Sequence, residues 1–370
     1  MVTFGTRPEA IKMFPVVQAL REAGAFDVRV VVTAQHREML DQVMNMAGIA
    51  PDIDLDLMQP GQSLDALSAR IITRFGEVLD TEKPDRVLVH GDTLTTMMAT
   101  LACYFRRIPV GHVEAGLRSG DIYAPWPEEV NRKVTGAVAD LHFAPTANAA
   151  ASLRAENVAE SAIHVTGNTV IDALLAARAK IAADPSLAPT IAPLQARFAG
   201  KRIIAVTAHR RENFGEGMRQ IAAALGQLAA RDDTAIIYPM HPNPNVTQVM
   251  RPALAGRDNI ALIEPLDYLD FVAMMEAADI VLTDSGGIQE EAPSLGKPVL
   301  VLRDTTERPE GVAAGTALLV GAHTDAIIAA ASRLLDDARA YEAMAKSHNP
   351  YGDGTASRKI AQIIARCHAG

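Results

Sequence analysis

Cysteine is almost absent from this chain: Cys103 and Cys367 are the only two in 370 residues, far apart and without CxxC or zinc-finger spacing. A disulfide framework and a structural zinc site are therefore not expected, and buried or incidental thiols are the plainer reading. An excess of positive charge is also lacking. The 35 Lys and Arg stand against 44 Asp and Glu, a formal net charge of −9. No global field draws such a chain to nucleic acid or to an anionic membrane, so an anionic ligand must be caught by local basic groups. No apolar run approaches the roughly 20 residues that span a bilayer. The N-terminus has no basic segment leading into an apolar one, and the expected location is the cytoplasm. Neither GxGxxG nor GxxxxGK[ST] occurs, so NAD binding and ATP hydrolysis lose their usual support, and the ten histidines do not pair at ligand spacing. No nicotinamide cofactor and no metal are expected.

What is present is 49% hydrophobic residues, enough for large cores, at a length that favours two domains. Short apolar runs alternate with helical patterns: Val28 to Val32, Val87 to Val89 and Val110 in the first half, then Arg202 to Thr207, Ala235 to Tyr238, Ile260 to Ile263, Ile280 to Thr283 and Val299 to Leu302. That rhythm predicts βαβ units and two doubly wound parallel sheets. Leu64, Leu67, Ile71, Phe75 and Val78 recur at helical spacing behind Ser63, a candidate N-cap. The Ala/Pro-rich stretch from Ala182 to Pro193 is read as the boundary, giving domains over 1–182 and 195–350. A last amphipathic helix, about 356–368, is expected to return to the first domain. Gly5 follows only four residues, so the natural start is expected slightly upstream.

In a doubly wound sheet, ligands bind beyond the carboxyl ends of the strands, and the unusual residues gather in those loops. After the first strand come Gly5, Thr6, Arg7, Pro8 and Glu9, with Lys12 one turn into the next helix. Small and basic groups at a helix N-terminus suit phosphate, although a solvated Arg and Lys are the plainer alternative. After the next two strands come His90, Gly91 and Asp92, then Gly111, His112, Val113 and Glu114. Glu128 and Glu129 follow the only tryptophan, Trp126. Paired carboxylates in a cleft can have their pKa values driven apart, so that one donates and another accepts a proton, while any single one could equally be an ion-paired structural group. The second half opens with His209, Arg210 and Arg211 straight after a strand, a plausible diphosphate clamp. Asp284, Ser285, Gly286 and Gly287 lead into a helix with Glu290 and Glu291, an arrangement that suits an anion and, one turn on, a ribose diol.

Taken together, Gly5-Thr-Arg-Pro-Glu-Ala-Ile-Lys12, His90-Gly-Asp-Thr, Gly111-His-Val-Glu-Ala-Gly-Leu-Arg118, Pro127-Glu-Glu-Val-Asn-Arg132, Ala208-His-Arg-Arg-Glu-Asn213 and Thr283-Asp-Ser-Gly-Gly-Ile-Gln-Glu-Glu-Ala-Pro293 form an ordered set. It continues through Arg303-Asp-Thr-Thr-Glu-Arg-Pro-Glu310 and Asn349-Pro-Tyr-Gly-Asp-Gly354. This set resembles the non-hydrolysing UDP-N-acetylglucosamine 2-epimerases over nearly the whole chain. The resemblance implies a glycosyltransferase-B architecture of two Rossmann-like domains, an active site in the cleft between them that closes around the substrate, and a homodimer.

Carried onto this chain, the resemblance implies that Asp92, Glu114 and Glu128 act in proton transfer or sugar positioning, with His209 beside the diphosphate. Arg7, Lys12, Ser285, Gly286, Gly287 and Arg308 would face phosphate, with Arg132 and Arg210 also in the substrate-binding set. Glu291 would take the ribose and Phe271 would neighbour uracil. A regulatory site for a second substrate molecule would use Gln35, His36, Arg37 and Arg70. Leu266 stands where some relatives carry Gln near the base. The implied reaction is reversible inversion of C2 of UDP-N-acetylglucosamine by loss and re-addition of UDP through 2-acetamidoglucal. The alternatives are an epimerase of a modified sugar nucleotide such as a diacetamido uronic acid, a glycosyltransferase of the same architecture, or a silent UDP-binding regulator.

Overall fold

The structure, a computed structural model, describes residues 1–33, 37–58 and 61–368. It divides into two compact units, one of Met1–Ala173 with Tyr351–Gly370 and one of Leu174–Pro350. The division falls inside the helix Thr169–Ala183, upstream of the Ala/Pro-rich stretch.

The N-terminal unit holds a seven-stranded parallel sheet. Its strands are β1 (Val2–Phe4), β2 (Val30–Val32), β3 (Ile53–Asp54), β4 (Val87–His90), β5 (Val110–Val113), β6 (Leu141–Ala144) and β7 (Ile163–Val165), in the order β3-β2-β1-β4-β5-β6-β7. The inner strands are buried along their length because helices cover both faces, which is why Val-rich runs rather than alternating patterns mark them. β2 begins at Val30, not at Val28, because its partner in register is Val2 of the three-residue β1. The apolar-run reading does not anticipate β3, β6 and β7, which are two to four residues long, with a histidine in each of β6 and β7. Helix Leu64–Glu82 is capped by Ser63, whose hydroxyl accepts from the Ala66 N–H, and it buries Leu67, Ile71, Phe75 and Val78 as its spacing predicts. Leu64 stays exposed. The helix Ala356–His368 belongs to this unit: it packs on the helix Arg7–Glu22, and Asp172 caps it by accepting from the Ser357 N–H at 2.8 Å. Burial raises the Asp172 carboxyl above the usual range despite those bonds.

The C-terminal unit holds a six-stranded parallel sheet of β8 (Arg202–Thr207), β9 (Thr234–Pro239), β10 (Ile260–Ile263), β11 (Ile280–Thr283), β12 (Val299–Val301) and β13 (Ala317–Leu319), in the order β10-β9-β8-β11-β12-β13. Its core gathers Ile204, Val206, Met218, Leu225, Ile236, Tyr238, Met250 and Leu282. Each sheet reverses its winding at one pair of central strands, β1 and β4 in the first unit and β8 and β11 in the second. Loops from such a pair part in opposite directions and leave a crevice at the strands' carboxyl ends. Among the described residues no helix is long and apolar enough to cross a membrane.

Candidate active site

In the N-terminal unit the loops after β1, β4 and β5 are joined through carboxylates. Glu9 is 2% exposed. Its Oε2 accepts from the Gly5 N–H at 3.1 Å, the Thr6 N–H at 2.9 Å and the Thr6 hydroxyl at 2.8 Å, completing a capping box on helix Arg7–Glu22. Its Oε1 accepts from the Thr93 hydroxyl at 2.7 Å, so one buried carboxyl holds the loop after β1 to the loop after β4. Burial pushes Glu9 above the usual carboxylate range against these bonds. The sequence reading placed Glu9 in a motif without a role, and its role is to fix two loops.

Glu114 is the centre of this cluster. Its Oε2 takes the Lys12 ammonium in an ion pair and the Asn168 amide N–H at 2.9 Å. His90 lies with Nε2 3.8 Å from the same oxygen. Among the described residues neither nitrogen of His90 has a hydrogen-bond partner, and burial lowers its pKa to about 4, so the ring is neutral at pH 7. Glu114 adopts φ +60°, a left-handed backbone that costs a non-glycine residue energy and clusters at functional sites.

Asp92 Oδ2 accepts from Arg132 Nη2 at 2.5 Å, and the Asp92 carbonyl accepts from Asn131 Nδ2 at 2.8 Å. Arg132 also reaches Glu129 Oε2 at 3.2 Å. Burial pushes Glu129 up, but the Ser119 and Gly120 N–H groups and Arg132 together outweigh it and hold the carboxyl below its ordinary value. Glu128, the first residue of helix Glu128–Val138, keeps a shielded Oε2 with no hydrogen-bond donor among the described residues. Arg7 opens helix Arg7–Glu22 and is half-buried.

In the C-terminal unit the organising group is Asp284, wholly buried at the end of β11. Its Oδ2 accepts from the main-chain N–H groups of His209 and Arg210, each at 2.8 Å, and from Asn213 Nδ2 at 3.2 Å, which holds the loop after β8. Both His209 and Arg210 are exposed. Burial lowers the His209 pKa, with Asp284 opposing and His241 and Arg210 assisting. The His209 and His241 rings stack with centroids 5.2 Å apart.

Ser285 precedes helix Gly286–Ser294 without capping it through its side chain. Among the described residues Gly287 has nothing within 4 Å of where a Cβ would stand, and the Arg308 guanidinium carbon is 4.0 Å from the corresponding point on Gly286. Helix N-terminal amides, two glycines and the Arg308 side chain are thus brought together beside the Glu307 carboxylate, whose Oε2 is 3.8 Å from the Cβ position of Gly286. Arg308 is also ion-paired with the buried Glu290, while Glu291 lies one turn into the helix, 8% exposed. Phe271 is half-buried in helix Tyr268–Ala277.

Of the four regulatory candidates, Gln35 and His36 lie outside the described residues, and of Arg37 only its place as first residue of helix Arg37–Ala47 is described. Arg70 donates to the Leu57 carbonyl at 2.8 Å and to Gln62 Oε1 at 3.2 Å. The residues missed by sequence reasoning are Asn168, Asp284 as an organiser, and His241. His241 sits in a His-Pro-Asn-Pro turn after a strand, the same signal that flagged His209.

The sequence profile of the family described as UDP-N-acetylglucosamine 2-epimerase matches residues 18–365. The chain belongs to that family. It is 57% identical to the probable UDP-N-acetylglucosamine 2-epimerase of Ralstonia nicotianae over 98% of each chain, and 55% identical to the UDP-N-acetylglucosamine 2-epimerase of Yersinia pestis over 98% of this chain and 97% of that one. Among solved structures it is similar to the UDP-GlcNAc 2-epimerase of Neisseria meningitidis bound to UDP-GlcNAc, with TM-score 0.88, 47% identity and 99% of each chain covered. The two-domain α/β architecture is therefore that of the family.

Proposed function

We propose that this chain interconverts UDP-N-acetylglucosamine and UDP-N-acetylmannosamine by eliminating and re-adding UDP. The hydrogen on C2 has no carbonyl on the neighbouring ring carbon to acidify it, so direct deprotonation is unfavourable. In the elimination the bond from C1 to the UDP oxygen breaks with both electrons leaving on UDP. A carboxylate takes the C2 proton, and the C2–H electron pair becomes the C1=C2 bond of 2-acetamidoglucal. Re-addition runs the steps in reverse from the opposite face of C2, so the proton count balances and no redox partner is consumed.

The observation that carries this reading is the N-terminal carboxylate set. Glu114 is held by Lys12 and Asn168, Asp92 by Arg132, and Glu128 presents a shielded oxygen without a donor among the described residues. Carboxylates in such different surroundings suit donation and acceptance of one proton on two faces. In the C-terminal unit, the Ser285-Gly286-Gly287 turn, Arg308, His209 and Arg210 suit the departing diphosphate, with Glu291 on the ribose and Phe271 near the base. Arg7 belongs to the same proposed substrate-binding set. The reading includes a cytoplasmic homodimer that uses neither NAD nor a metal, and a second substrate molecule acting at Gln35, His36, Arg37 and Arg70. Among the described residues, no group of three or more His, Cys, Asp or Glu is placed to hold a metal ion.

Proton NMR in deuterated water with UDP-N-acetylglucosamine, EDTA and no nicotinamide tests the core of it. Deuterium entering C2 as UDP-N-acetylmannosamine appears is the expected result. An unchanged substrate overturns the proposal in favour of a modified sugar nucleotide or a glycosyl transfer.

A further inference from the structure

Asn168 lies outside every motif that carries the chemistry, yet it is 2% exposed and bonded in three directions within the N-terminal unit. Its Nδ2 donates to Glu114 Oε2 at 2.9 Å. Its Oδ1 accepts from the Val170 N–H at 3.1 Å, at the start of helix Thr169–Ala183. Its own N–H donates to the Tyr351 carbonyl at 2.7 Å, where the chain re-enters the unit. There the backbones of Gly167 and Gly352 meet so closely that a Cβ on Gly167 would stand 3.3 Å from the Gly352 Cα. Both glycines are left-handed, at φ +91° and +124°. Asn168 is therefore placed by main chain on two sides before its amide reaches the carboxylate.

An amide N–H can only donate, and a donor directed at a carboxylate favours the ionised form. Lys12 meets the same Oε2, while the other oxygen, Oε1, lies against Gly91, 3.7 Å from where its Cβ would stand. One oxygen is thus gripped by two donors and the other is directed at the loop that carries Asp92. We propose that Asn168 is a positioning residue for the epimerisation, setting the rotamer and charge of Glu114 through its donated bond and tying that carboxylate to the point where the chain leaves and re-enters the unit. This rests on Glu114 being an acid/base group, as argued above.

The plainer role, a helix cap alone, is separable by chemistry. Asp is as good an N-cap as Asn and nearly isosteric, so N168D keeps the bond from Val170 and changes only the donor into an acceptor that faces Glu114. We expect the rate of C2 deuterium exchange at saturating substrate to fall about a hundredfold, with KM changed less than about threefold. The acid limb of the kcat profile should move up by about one pH unit, because the carboxylate loses a donor and gains a like charge. N168S, which caps but cannot reach Glu114, should lose about tenfold with a smaller upward move of that limb, and it answers the question if N168D does not fold. Wild-type exchange and an unmoved acid limb in folded N168D or N168S overturn the inference. E114Q is run alongside: wild-type exchange there overturns the acid/base reading together with this inference, whereas an inactive E114Q beside wild-type-like Asn168 variants overturns the inference alone.

Discussion

The candidate groups of the N-terminal unit are half-buried carboxylates and basic side chains paired with one another, whereas the C-terminal unit sets main-chain amides at a helix start and exposed basic side chains beside the buried carboxylates Asp284, Glu290 and Glu291. Glu114 is 8% exposed at its side chain and paired with Lys12, while His209 is 42% exposed. The difference suits the two tasks proposed for the units. Moving a proton requires a carboxylate whose charge and direction are fixed before substrate arrives, and burial among specific partners does that. Holding a diphosphate requires many donors and close approach, which a helix N-terminus with two glycines can supply from main-chain amides. A group of the first kind should act on rate, and one of the second kind on affinity.

The largest expected effect breaks the comparison if it appears in the wrong quantity. Glu114→Gln should lower C2 deuterium exchange by about 10³-fold and leave UDP affinity by calorimetry within about threefold; a comparable loss of UDP binding would erase the distinction between the units. Gly287→Val is the converse test. Open space surrounds its Cβ position, so melting should be unchanged while a side chain in the phosphate approach weakens UDP binding by about ten- to a hundredfold, with exchange at saturation little altered.

A smaller effect is expected where the C-terminal unit does rely on buried charge. Asp284→Asn keeps the shape but weakens three charge-assisted bonds, so urea denaturation should record a loss of about 2 kcal/mol. An unchanged midpoint would mean that the loop after β8 holds itself.

The smallest effect sharpens the picture of the N-terminal unit as a place of neutral buried imidazoles. Burial lowers His112 to about 3, with its Nε2 2.7 Å from the Gly91 carbonyl. The unfolded chain, with an ordinary histidine near 6.5, binds more protons throughout that window. The stability from His112 is therefore fully present above pH 6.5 and is lost as the pH falls toward 3. His112→Gln should flatten the decline of melting temperature on acidification, and a slope equal to that of the wild type would assign the acid sensitivity elsewhere.

Much of this was legible in the linear order of residues. Apolar runs separated by helical spacing marked the inner strands, since a parallel strand covered on both faces must be apolar throughout. The Ser63 cap and the face of Leu67, Ile71 and Phe75 were readable because they are local. The short strands β3, β6, β7 and β13 were not, since a run of two to four residues carries no period. Nor was Glu9 as the link between two loops, because its partner Thr93 is 84 positions away.

The order of residues by itself determined which loops are the candidates for chemistry, because in each doubly wound sheet the loops after the strands gather at the carboxyl end, and that is where the glycines, carboxylates and basic groups stand. It determined the family too, through motifs whose order survives over the whole chain. Only the tertiary structure decided the pairings. Lys12 meets Glu114 across 102 positions and Asn168 meets it across 54, and no spacing rule connects residues that come together only once the sheet has wound. Which carboxylate is gripped, which is left without a donor, and which histidine is forced to stay neutral are consequences of burial and of neighbours, and those exist only in the folded chain.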